Sequence, residues 1–142
     1  MNTREAIFAA LFARVATAPG FRTTSRTLKS WSEVASPDQP ALFQAEGRQT
    51  AVSEYRLPTK WTLYAELYLY VHLATSGQTD VVVALNNQVD AVMTALARDA
   101  TGVQTLGGVV EDCRVQGDIE TDEGRLGAQA VAIIPLVIIP TI

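Results

Sequence analysis

A single domain of the α/β (α+β) class is what this sequence predicts: a mostly antiparallel or mixed sheet of about five strands with two helices packed on one face, in the order α-β-β-β-α-β-β. Three observations carry that expectation. Residues 60–74, KWTLYAELYLYVHLA, alternate almost without fault, with Trp61, Leu63, Ala65, Leu67, Leu69, Val71 and Leu73 on one side and Thr62, Tyr64, Glu66, Tyr68, Tyr70 and His72 on the other. A period of two is the signature of a strand, and the aromatic and β-branched content agrees with it. Two further stretches carry apolar stripes at helical spacing. Residues 129–139 are apolar at nearly every position, as in a strand buried on both faces.

The first helix is placed at residues 3–18. Asn2 or Thr3 can cap it, Glu5 suits its positive end, Ile7, Leu11 and Val15 recur at spacing four, and Pro19-Gly20 stops it. Residues 21–28 read as a short strand whose Thr and Arg content fits a half-exposed edge. Trp31 and a loop with Pro37 and Pro40 lead to a second short strand at 41–45. The polar stretch 46–59 is either a long functional connection or a projecting hairpin with residues 50–55 as one arm. After the long strand, Thr75-Ser76-Gly77 interrupts the pattern and Asp80 can cap a second helix ending at Ala97 or Arg98. Leu85, Val89, Val92 and Leu96 form its buried stripe, with Asn86, Asn87, Asp90 and Thr94 outward.

Residues 109–120 read as one strand, with Val109, Cys113, Val115 and Ile119 on one face and Asp112, Arg114, Gln116, Asp118 and Glu120 on the other. Glu123-Gly124 and Gly127 mark a turn into the last strand. Pro135 lacks the N–H that a central strand uses, so the last strand is expected at an edge or a bulge. An edge that long and apolar requires cover, and another subunit is the expected source.

The composition is that of a globular chain: 142 residues, 48% hydrophobic and 18% charged, enough for one domain with a real core. The N-terminal apolar segment contains Arg14 and lacks a small-residue cleavage site. The run at 128–139 is shorter than the ~20 residues a bilayer takes, and Pro135 interrupts it. The expectation is a soluble protein made in the cytoplasm, with no membrane partner. The single cysteine, Cys113, excludes an internal disulfide framework and a multi-cysteine metal site, and reads as a small core residue. The net charge of −4 is uneven: eight basic against five acidic residues up to Lys60, and three against ten after it. Such a split fits complementary faces suited to head-to-tail packing of copies.

Groupings that could carry chemistry are sparse, and no catalytic, metal or cofactor residue is expected. His72, the only histidine, is six strand residues from Glu66, or ~20 Å, too far to pair with it. The acidic run DIETDEG at 118–124 departs from a calcium loop: its glycine comes one place late and Gln129 stands where a glutamate is needed. Gly107-Gly108 is not followed by the Lys and Ser/Thr of a phosphate loop, and the acidic chain lacks the basic–aromatic interleaving of a nucleic-acid reader.

What remains is surface. Fifteen strand residues extend ~50 Å, more than the ~37 Å breadth of a globule of this size, so the long strand bends or projects. Its Tyr64, Glu66, Tyr68 and Tyr70 form an aromatic-polar face of the kind enriched at protein contacts, and they are candidates for a subunit boundary together with Pro135.

Several stretches together resemble a known class. They are Trp31; Pro40-Ala41-Leu42-Phe43; Pro58-Thr59-Lys60-Trp61-Thr62-Leu63; Gln104-Thr105-Leu106-Gly107-Gly108; and the run from Asp122 to Pro135, DEGRLGAQAVAIIP. In order and spacing they resemble small virion proteins of long-tailed bacteriophages and prophages, and more narrowly the tail terminator (tail completion, head–tail joining) family. The likeness covers most of the chain as a pattern of strands and turns, without a catalytic motif. It implies a non-enzymatic structural protein of the phage neck. Such a protein forms a sixfold, hexameric ring with copies of itself on the last ring of the tail tube protein. It ends tube growth and presents a surface to the head–tail connector, and DNA passes through without being read. The ring would be assembled in the host cytoplasm and located in the virion. The segment 46–59, with Arg48, Tyr55 and Arg56, is then the first candidate for contact with tube or connector. The alternatives are another neck or tail component (a head–tail connector or a tube subunit) and, from other classes, a small enzyme using His72 and the acidic run or a soluble binding domain.

Overall fold

In the computed structural model the described residues are 2–72, 81–126 (the side chains of 123–126 excepted) and 128–141. The elements are α1 (Arg4–Val15), β1 (Thr23–Ser25), β2 (Ala41–Val52), β3 (Lys60–His72), α2 (Val81–Ala95), β4 (Val110–Val115), β5 (Glu120–Leu126) and β6 (Gln129–Pro140), with single 3-10 turns at Trp31–Glu33 and Ser36–Asp38. They form an α+β fold with a six-stranded mixed sheet in the order β1-β2-β3-β6-β4, where β5 also pairs with β6. β1 runs parallel to β2 and the other pairings are antiparallel.

The helices start and pack as their sequences dictate. Thr3 caps α1, its hydroxyl accepting the Ala6 N–H at 3.1 Å. Asn2 instead donates to the Val109 carbonyl at 2.9 Å and ties the chain start to the entry of β4. Ile7, Phe8, Leu11 and Val15 of α1, and Leu85, Val92 and the adjoining Leu96, meet Leu63, Leu67, Leu69, Ile134 and Ile138 of the sheet in one core. Asn86, Asn87, Asp90 and Thr94 face solvent. The expected break at 75–77 and the Asp80 cap lie outside the described residues.

Three readings are corrected. The last strand is not an edge: β6 lies between β3 on one side and β4 and β5 on the other, so its apolar length is covered by its own chain. The Gln116 N–H donates to the Pro135 carbonyl at 3.2 Å, which directs that residue's polar groups away from β3. Ladder pairing with β4 stops at Val115↔Leu136 and pairing with β5 starts at Glu120↔Ile133. The missing proline N–H therefore falls in the break between two short strands laid end to end, where no ladder partner needs it.

The expected single strand at 109–120 is those two elements. β4 carries a bulge between Val110 and Asp112, which puts Val110 and Cys113 together in the core. The Glu123-Gly124 part of the expected turn is instead the pairing arm of β5, irregular between Glu123 and Leu126, and Gly127 lies outside the described residues. Finally, the two readings of 46–59 resolve to a hairpin, whose outgoing arm is a continuation of β2 as far as Val52.

The second face of the sheet has a small core that the sequence did not disclose. The loop between β1 and β2 folds over it, and Val34, Ala41, Phe43 and Tyr70 bury one another, with Tyr68 and Val131 beside them. The Phe43 and Tyr70 ring centroids are 5.5 Å apart in a tilted arrangement. The Tyr70 hydroxyl donates to the Lys29 carbonyl at 2.6 Å, and burial, with the nearby Tyr68 and Glu33, pushes its phenol up to about 12.

Tyr70→Phe should keep the fold and cost about 1 kcal/mol at neutral pH, the net worth of one hydrogen bond. The unfolded phenol ionises near ~10 and the folded one near about 12. Stability from Tyr70 is therefore complete below the first value and lost as pH rises through the second. Urea melts at about pH 7 and about pH 11 should show the gap between wild type and variant narrowing at the higher pH.

Candidate functional site

The long strand is longer than the sheet that supports it. β3 pairs with β6 only from Leu63↔Ile138 to His72↔Gln129, and β1 covers β2 only from Ala41 to Phe43. Beyond Leu63 the end of β2 and the first residues of β3 pair with each other alone, as Thr50↔Thr62, Ala51↔Trp61 and Val52↔Lys60. They form a two-stranded hairpin exposed from Glu46 to Pro58. Its tip is closed by the Leu57 N–H donating to the Glu54 carbonyl at 3.1 Å and by the Ser53–Thr59 hydroxyl pair at 2.9 Å. Arg56 adopts a left-handed backbone, φ 64°, which few side chains other than glycine take readily. Its guanidinium lies 5.2 Å from the Tyr55 ring centroid. Val52, Tyr55 and Leu57 are 54%, 87% and 57% exposed, an apolar presentation that the chain's own core does not require.

Contacts at the base aim the hairpin. On the helix side, the Arg4 guanidinium stacks over Trp61 at 4.4 Å and donates to Gln49 at 2.6 Å. Arg26 pairs with Glu5 of α1 and reaches Glu46 at 3.8 Å. On the opposite side, a bulge between Glu46 and Gln49 sets Gly47 and Arg48 against Tyr64 alone, and the Arg48 guanidinium lies 4.1 Å from the Tyr64 ring centroid. The bulge is tight at Gly47: a Cβ there would sit 3.1 Å from the Tyr64 carbonyl oxygen and 3.3 Å from its Cβ, so a side chain would require the two strands to shift by a few tenths of an ångström.

Beside the bulge is an open depression of about 450 Å³, lined by Gly47, Arg48, Tyr64, Glu66, Gly117 and Pro135 among others. The structure thus gathers four of the candidates, Arg48, Tyr64, Glu66 and Pro135, at one place, and sets Tyr55 and Arg56 at the tip. It separates the other two. Tyr68, opposite Phe43 and Ile133, lies lower on the same face, and burial together with the Glu66 and Glu120 charges raises its phenol. Tyr70 is 3% exposed, so the inner loop withdraws it from any outer surface. The tyrosine ladder does not face outward as one unit. Val34 is the one residue of that loop in the small core, an isolated apolar position whose spacing gave no signal of the cover.

A guanidinium on an aromatic ring, a carboxylate and a proline offer polar and stacking contacts to a partner surface. The other reactive groups lie elsewhere. His72 is at the far end of β3, opposite Gln129, while Glu66 is opposite Pro135. Cys113 is fully buried, and burial, with the Asp112 charge, pushes its thiol up to about 12, leaving it a neutral core side chain at physiological pH.

Asp112, also missed from the sequence, is structural. It accepts the Gln104 N–H at 3.1 Å and pairs with Arg98 and Arg114, both at 3.0 Å. Burial alone would raise its carboxyl, but these hydrogen bonds and charges together hold it below the ordinary range. Among the described residues, no group of three or more His, Cys, Asp or Glu side chains is placed to hold a metal ion, and no helix is long and apolar enough to cross a membrane. No protein-family model matches the chain, and no characterised protein to which it was compared matches either.

Gly47→Ala should force the bulge away from Tyr64 and lower stability by about 1–2 kcal/mol, since backbone must move to admit the methyl. Thermal melts of the two proteins would test this; an unchanged melting temperature would show that the bulge tolerates a side chain.

Proposed function

We propose that this chain is a structural subunit of a bacteriophage neck, of the tail terminator kind, which assembles with copies of itself into a ring at the head-proximal end of the tail tube. The observation that carries the reading is the hairpin: an outward-reaching arm, held by contacts at its base, with three large apolar side chains in water. A chain that works alone gains nothing from such an arm, and exposed apolar surface of this kind is characteristic of assembly. The resemblance supplies the setting, with the tube protein below, the connector above and DNA passing through the middle unread. The predominance of acidic over basic residues from Trp61 onward suits a passage that lets a phosphate backbone slide rather than bind. In this reading the chain has no reaction to catalyse; its chemistry is the complementarity of surfaces.

The test uses tails that lack this protein. Added wild-type chain should form a ring at the tube end, visible by electron microscopy, and restore joining to heads. A variant in which an Asn-Gly turn replaces residues 53–59 keeps the Val52↔Lys60 closing pair and should fold with unchanged circular dichroism. It should nonetheless lose ring formation and head joining. A wild-type chain that stays monomeric and never associates with tail tubes would overturn the proposal, and infectious particles from the shortened variant would remove the hairpin from it.

A further inference from the structure

The exposed large apolar residues of the described chain fall almost entirely into two groups. One is the hairpin tip, Val52, Tyr55 and Leu57; the other is Leu28, Trp31 and Ile119, with Val83 alone standing apart. Trp31 of the second group lines a different hollow on the second face of the sheet, and Ile119 directly precedes Glu120 at its rim. There Trp31, Val131 and Ile133 form the apolar walls of an open depression of about 290 Å³, and Glu120, Thr121 and Asp122 of β5 supply its rim. Glu33, two residues beyond Trp31, adds a further carboxylate on the same 3-10 turn.

The two places are opposite in charge. From Gly47 to Lys60 the hairpin carries Arg48, Arg56 and Lys60 against Glu54 alone, while the depression is edged by acids. They also lie at opposite ends of one sheet. Ile133 is level with Tyr68 on β3, whereas the hairpin closes at Lys60, eight residues or ~26 Å away along a straight strand. The tip cannot fold back onto its own depression, so the two can meet only between copies, and each copy then offers one of each.

We infer that the hairpin tip of one copy docks into the Trp31–Ile133 depression of the next. Tyr55 or Leu57 would enter against Trp31, and Arg56 and Lys60 would face Glu120 and Asp122. The contact is head-to-tail, the kind that closes into rings. This rests on the ring reading and deepens it, because it assigns the hairpin to the seam between subunits rather than to the tube or the connector.

Charge exchange tests the pairing. One variant carries Arg56→Glu and Lys60→Glu, the other Glu120→Lys and Asp122→Lys; Arg56, Lys60 and Glu120 are exposed and Asp122 is half-buried, so both should melt like wild type. Each alone should associate at least about tenfold more weakly than wild type, by native mass spectrometry and sedimentation, since like charges then face each other. Mixed in equal amounts, the two should recover association, because the reversed hairpin of one now matches the reversed depression of the other. A second pair, Tyr55→Cys with Trp31→Cys, should give an intermolecular disulfide in the mixture.

Wild-type rings that both charge variants also form unaided, or a mixture that stays dissociated, would overturn the inference while leaving the neck assignment standing. Rings that obey the exchange yet never engage tail tubes would overturn the neck assignment and leave the seam. A wild type that associates neither in solution nor on tails would overturn both.

Discussion

β6 has to be hydrogen-bonded along both flanks, since it is apolar on both faces and lies inside the sheet, yet it carries a proline in its middle. The register resolves the conflict. Against β3 the pairing is unbroken from Gln129 to Ile138, and Pro135 turns its missing donor to the other flank. There the sheet supplies not one neighbour but two, β4 and β5, separated by a link that bridges the proline. The depression beside Gly117 and Pro135 is a consequence of that break: with no continuous strand across from the proline, the sheet is open at this point. Gly117, at φ 112° and with its would-be Cβ 3.3 Å from the Pro135 ring, is the residue type that lets the link pass so closely.

The same register determines how little supports the hairpin. Both helices pack below Leu63, and beyond it β2 and β3 have only each other. Two-stranded ribbons are marginal in water on their own. What holds this one is a set of partly exposed contacts: Arg4 on Trp61, Arg48 on Tyr64 and Arg26 toward Glu46. Each is worth a few tenths to about 1 kcal/mol. The arm is therefore aimed by its base while the fold's stability resides elsewhere, in the helix–sheet core. That division leaves the tip chemistry variable without penalty to folding, a useful property for a contact surface.

The core was legible because burial imposes periodicity. The alternation of β3 and the stripes of both helices give the helix-facing layer residue by residue, and the outward polar positions of α2 stand where their spacing puts them. The errors come where one residue changes a strand's meaning. A proline in an apolar run reads as an edge, because sequence does not show that two short strands can share one flank and leave a gap. Glu111 adds a bulge that shifts the faces of β4, so Val110 rather than Val109 joins Cys113 in the core. The acidic run around Asp122 looks like a turn because pairing to β6, unlike composition, is a long-range property. Of the candidate site, the hairpin and its arginines were visible as a polar insertion. The withdrawal of Tyr70 was not, because it depends on Val34 and the Lys29 carbonyl, supplied from a loop with no periodicity of its own.

On the proposed docking of hairpin tip into the Trp31–Ile133 depression, the placement of the two surfaces constrains how copies can associate. Two copies satisfy both surfaces at once only where a twofold axis relates the copies; any other rotation leaves one arm and one hollow open. On the proposed contact, association by any other rotation would continue until it closes, and the angle between arm and hollow would determine at what number. The bulge of Gly47 and Arg48 opposite Tyr64 lies where that angle would be set, since an extra residue in one strand bends and twists the pair that follows it. A local backbone irregularity, permitted by the absence of one methyl group, would then govern the symmetry of the assembly, while the core that stabilises each subunit remains indifferent to it.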